Sequence, residues 1–168
     1  VACKSEQRRL QREIVELEEA LEQTPEPETA KALIDQYQAY SERFPQDAAT
    51  NARYLYRAAG LSYRMNRFSE AIELLNTAIR QYYAGSITVN NALLLGGIYE
   101  EKLRNEELAA TVYQAAARAF PENGEVQAKL RTGWDDLDAR LRALAGQVFD
   151  ASGNRIDYRI ANDFINSA

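Results

Sequence analysis

Residues 33–45 read LIDQYQAYSERFP, residues 71–83 read AIELLNTAIRQYY, and residues 109–121 read AATVYQAAARAFP. Laid over one another at one fixed shift, the three stretches share one pattern. Leu33 falls on Ala71 and Ala109, Tyr37 on Leu75 and Tyr113, Tyr40 on Ala78 and Ala116, and Phe44 on Tyr82 and Phe120, a shift of 38 each time. Positions three and four apart lie on one face of a helix, so each stretch predicts an amphipathic helix. Two of the three end in an aromatic residue and a proline, Phe44-Pro45 and Phe120-Pro121. Proline cannot continue a helix from its interior. A fixed period of this size marks a helical solenoid, in which each segment buries its apolar face by stacking on its neighbours. The fold class expected is all-α.

Outward from these stretches, more helices are predicted. Residues 28–43, 50–65, 70–83, 88–103 and 106–120 carry helical spacing. Asp47 and Ser69 are placed to cap helices. Asn66-Arg67 and Arg104-Asn105 read as tight turns, and the loop at Ala84-Gly85-Ser86 is expected to lengthen the period to 38. Residues 1–4 read as a short tether, and residues 5–27 as a charged amphipathic helix closed by Thr24-Pro25-Glu26-Pro27. In that helix Leu10, Ile14, Leu17 and Leu21 form a narrow stripe. It serves equally as a packing face for the first solenoid segment or as a dimer seam. Beyond residue 121 the 38-residue phase is lost. Val126, Leu130, Trp134, Leu137, Leu141, Leu144 and Val148 form a stripe that predicts a capping helix over 123–149. Residues 150–168 read as the start of a further helix, cut short.

The composition narrows the function. The net charge is −5, with −4 on residues 1–28, +1 on residues 29–121 and −2 on residues 122–168. No region has the basic excess that a phosphate backbone requires, so no nucleic-acid partner is expected. There is no histidine and one cysteine. The commonest general acid–base group and the usual zinc and iron ligands are therefore missing or isolated, and no enzyme activity, cofactor, metal or small-molecule substrate is expected. Gly96-Gly97 lacks the lysine and preceding strand of a phosphate loop. Asp135, Asp136 and Asp138 lack the glycine and final glutamate of a calcium loop.

Val1-Ala2-Cys3 resembles the end of a bacterial lipobox, in which the cysteine is acylated. That resemblance implies that Cys3 is the lipidation site. Lys4 in place of an aspartate implies an outer-membrane address facing the periplasm.

The helical segments resemble the tetratricopeptide repeat, a helix–turn–helix unit. The matching residues are Leu55, Ala58, Ala59, Ala71, Leu75 and Ala78 in one repeat (50–84). They are Leu93, Gly96, Gly97, Ala109, Tyr113, Ala116 and Pro121 in the next (88–122). Leu33, Tyr37, Tyr40 and Pro45 fit the second helix of a half repeat (28–47). The resemblance spans 28–121. It departs where the signature tryptophan is Leu55 or Leu93 and the late proline of the middle repeat is Tyr83. It implies a right-handed α-solenoid of such repeats, with a charged N-terminal helix and a C-terminal capping helix.

In this family the first helix of each repeat lines a concave groove. Alignment of the repeats places Arg53, Tyr56, Tyr63 and Arg64 there, with Asn91, Leu94, Ile98, Glu101 and Lys102 from the second repeat. The family's carboxylate clamp is absent, since Tyr56 and Gly60 stand where it would begin. The function implied is a protein-docking scaffold of the bacterial cell envelope, held to the membrane by acylated Cys3 and binding other envelope proteins or peptides. Two alternatives stay open: the N-terminal module of a larger chain with a downstream catalytic or assembly domain, and a soluble cytoplasmic adaptor.

Overall fold

The computed structural model describes residues 2–129, with side chains from residue 4 onward. Most of the expected capping helix, including Trp134 and the aspartates after it, and all of residues 150–168 lie outside the described residues. The regular structure among the described residues is entirely helical. The chain divides into two compact units after Asn105.

The first unit holds α1 (Ala2–Gln23), α2 (Pro27–Arg43), α3 (Ala48–Arg64), α4 (Phe68–Gln81) and α5 (Ser86–Gly97), which runs on as a π-helical turn over Ile98–Lys102. Pro27 opens α2 in the first turn, where its missing N–H costs nothing, and Glu28 and Arg43 sit at the ends that favour their charges. Asn66 and Arg104 end their helices in the left-handed region, at φ 58° and 52°, so both predicted turns are present. Gly85 takes φ 51° between α4 and α5, where a side chain would be strained. That loop spans residues 82–85, the same length as the connection over 44–47. Helix α1 begins before Cys3, in the place of the expected tether.

Within this unit each helix packs on the next in sequence, and α3 also packs on α5. The recurring positions form the core. Leu33 and Ala71, Tyr37 and Leu75, Tyr40 and Ala78, and Phe44 and Tyr82 are all buried. The tyrosine-rich end forms an aromatic cluster, with the Tyr54 ring 4.9 Å from Tyr37 and 5.0 Å from Tyr40, and Phe44 5.1 Å from Tyr40. Contacts of this kind contribute about 0.5–1.5 kcal/mol each beyond the area they bury.

Helix α1 is fastened to this cluster chiefly by polar groups. Gln7 and Gln11 donate to the Tyr40 hydroxyl at 2.7 and 3.1 Å, and that hydroxyl donates to Asp47 at 2.7 Å. Arg43 makes two bonds to Glu6, which hold its carboxylate below the usual range. From the stripe, Ile14 is fully buried within the single chain while Leu10, Leu17 and Leu21 are half-buried. The stripe thus serves as a packing face of α1 within the molecule, most fully at Ile14.

The two capping expectations need correction. Asp47 precedes α3 but makes no cap bond, because its carboxylate is taken by Tyr40 and Gln7. Helix α4 starts at Phe68, ahead of Ser69, and Glu70 in its first turn accepts from Ser62 and Arg67 instead.

The second unit contributes α6 (Glu106–Ala119), whose buried residues are Ala109, Tyr113, Ala116 and Ala117. A further helical stretch starts at residue 124. Asn123 caps it by accepting from the Val126 amide at 3.1 Å, and Val126 is fully buried.

Candidate functional site

The burial patterns of α3 and α5 do not match at a shift of 38. Helix α3 buries Asn51, Ala52, Tyr54, Leu55, Ala58, Ala59, Leu61 and Ser62. Helix α5 and its π turn bury Thr88, Val89, Asn91, Ala92, Leu95, Gly96 and Ile98. At a shift of 37 the two sets superpose except at Ser62, whose equivalent Tyr99 is half-buried. After the π turn the shift is 38 again, since Asn66 matches Arg104 in the same left-handed conformation. The π turn absorbs the difference. Its backbone amide of Leu103 reaches the Ile98 carbonyl, five residues back, at 3.1 Å. A single extra residue is what such a turn accommodates.

This register corrects part of the expected groove. Asn91 and Ile98 are fully buried, because they correspond to Tyr54 and Leu61 and not to exposed positions of α3. The Asn91 amide donates to the Ala52 carbonyl at 3.4 Å. The repeat match in this helix also moves by one: Ala92, Leu95 and Gly96 stand where Leu55, Ala58 and Ala59 do. Glu101 and Lys102 follow the start of the π turn, where the longer shift returns, and both are exposed.

Three of the expected residues, Tyr56, Arg64 and Leu94, line a cleft of about 790 Å³. Its α3 wall adds Arg57, Gly60, Leu61 and Met65. The facing wall comes from the end of α1, the proline linker and the start of α2, with Glu18, Leu21, Glu22, Glu26, Ala30, Leu33 and Tyr37. The volume falls within the range of roughly 300–1,000 Å³ usual for ligand sites. Arg53 is exposed on α3 but outside the cleft. Tyr63 packs its ring 5.7 Å from Phe68, and Lys102 places its ammonium 5.2 Å from the same ring.

At the foot of the cleft Glu18 joins three helices. It accepts from the Tyr37 hydroxyl on α2 and pairs with Arg57 on α3. Burial, reinforced by the Glu18 carboxylate, pushes the Tyr37 phenol well above the ordinary tyrosine range. Burial likewise raises Tyr54, and Tyr40 is pushed up to about 12.

The facing wall is what sequence reasoning missed. Glu18, Leu21, Glu22 and Glu26 belong to a segment outside the apparent repeat, and nothing in their spacing places them against α3. Arg57 and Gly60 were within reach: they lie one turn from Arg53, Tyr56 and Arg64 on the same helix.

Among the described residues no group of side chains is arranged to hold a metal ion, and no helix is long and apolar enough to cross a membrane. Comparison with family models, with curated proteins and with solved structures finds no match for this chain.

Proposed function

We propose that this chain is a non-catalytic docking scaffold: a right-handed α-solenoid of tetratricopeptide-like repeats that receives partner proteins in the cleft between α1–α2 and α3. The observation that carries the reading is the cleft itself, a concave, largely apolar surface edged by Arg64 on one side and Glu22 and Glu26 on the other. Stacking of each helix of the first unit on its successor, with α3 also on α5, is the packing a solenoid requires. Helix α1 then completes the first repeat as the partner of α2.

The location we propose is the bacterial cell envelope, with Cys3 acylated and the protein an outer-membrane lipoprotein. The support is the Val1-Ala2-Cys3 sequence. Acyl chains bind membranes by apolar burial. The full-length protein should therefore stay with membranes through a salt wash, and Cys3→Ser should release it or leave it as precursor. Equal fractionation of the two would rule out the anchor.

The docking reading is tested by photo-crosslinking in bacterial cells that produce the protein. A photoreactive residue at Tyr56 or Leu94 should capture discrete partners, and one at Glu73 or Arg80, both on α4, should not. Capture from α4 alone would place docking elsewhere.

A further inference from the structure

Gly60 and Gly97 occupy the same position in α3 and α5 once the 37-residue register is applied. A helix interior disfavours glycine, so each calls for a reason. Packing among the described residues supplies none. A Cβ built on either glycine meets nothing within 4 Å. Gly60 lies on the wall of the cleft, and Gly97 lies one turn beyond Leu94, which also lines it. Glycine lets another backbone come closer than any side chain permits.

The charges around the cleft are separated by sign. Arg57 is neutralised by Glu18. Arg64 on the α3 wall and Glu22 and Glu26 on the facing wall form no ion pair among the described residues. An occupant that satisfied both sides would carry a carboxylate toward α3 and a cation toward the α1–α2 linker, with apolar surface between them.

We infer that the cleft takes a linear peptide segment of a partner protein, its backbone lying against Gly60 and an apolar residue seated between an acidic side chain at Arg64 and a basic one at Glu22 and Glu26. This rests on the docking reading above and adds the chemistry and direction of the bound segment. Opposed charges on the two walls fix which way the segment runs, because the reversed peptide would set like charges against each other.

The test is selection of a displayed library of random short peptides on the purified full chain, followed by fluorescence anisotropy with the enriched sequences. The expected peptides hold an apolar residue between an acidic and a basic one. Gly60→Leu and Arg64→Glu should each weaken binding at least about tenfold while the helical circular dichroism stays unchanged. Gly60→Ala separates the glycine's role from folding: it should raise Tm by about 2–4 °C, since alanine suits a helix better, and still weaken binding. Enriched peptides with no such charge order, or binding indifferent to Gly60→Leu, would overturn the inference and leave the docking scaffold standing. A selection that enriches nothing would overturn both. A wild-type dimer that Arg64→Glu dissociates would give the cleft to a second copy of the chain and overturn it as well.

Discussion

Lys102 places its ammonium 5.2 Å from the centroid of the Tyr63 ring, joining the end of the π turn to α3. The repeat equivalent of Lys102 is Arg64, the residue that follows Tyr63 on α3. Upstream of the π turn the equivalent spacing is one residue shorter. The turn therefore lets α5 follow one register with its buried face and another with its last exposed turn.

Deleting Glu100 should remove the π turn without disturbing either face. The helix would continue at ordinary pitch, with the 37-residue register carried through. Stability by chemical denaturation should stay within about 1 kcal/mol of the parent. Deleting Arg57 from α3, which has no such turn, should rotate Ala58, Ala59 and Leu61 off the buried face and cost several kcal/mol.

Ile14→Ala should cost about 2–4 kcal/mol, as expected for a fully buried aliphatic side chain. Leu10→Ala, at a half-buried position, should cost less. Because the stripe packs within one chain, the midpoint should not move with protein concentration. A midpoint that rises with concentration would return the stripe to the role of a dimer seam.

Glu18→Ala should remove about 1–3 kcal/mol, because the buried Tyr37 hydroxyl loses its acceptor. Glu18→Gln keeps an acceptor and should recover most of the loss. The same Ala variant should lower the Tyr37 pKa, since the nearby carboxylate helps to raise it. Denaturation curves and the phenolate absorbance on alkaline titration read the two effects separately.

Alkaline pH should unfold the first unit cooperatively. Tyr40 ionises at about 12 in the fold against an ordinary value of 10.0, and Tyr37 is also raised. A phenol raised by folding stabilises the native state fully below pH about 10, and that contribution is lost as pH rises toward about 12. Of the ten tyrosines, a subset should therefore titrate late and together with the loss of helix. Early titration of all ten with the helix intact would contradict the buried cluster.

Which parts of the molecule could be read from sequence follows from where its period is regular. Tyr37, Leu75 and Tyr113 mark the second helix of each pair at one constant spacing, and the helix limits around them come out within two residues. In the first helices the extra residue in Ile98–Lys102 shifts the alignment by one. On a helix one residue is about 100°, enough to carry Asn91 and Ile98 from an exposed face to the core. The α1 wall was illegible for another reason: Glu18 and Glu22 reach α3 only through tertiary packing.

The Tyr40 hydroxyl, shared among Gln7, Gln11 and Asp47, has a consequence for the order in which the molecule can assemble. That oxygen is in place only once α2 has docked on the start of α3. Helix α1, with a single fully buried side chain among its described residues, has no finished surface to settle on before then. Helix α1 precedes both in the chain and would wait for them, an exposed charged rod whose glutamates and arginines keep it in solution until its berth is built.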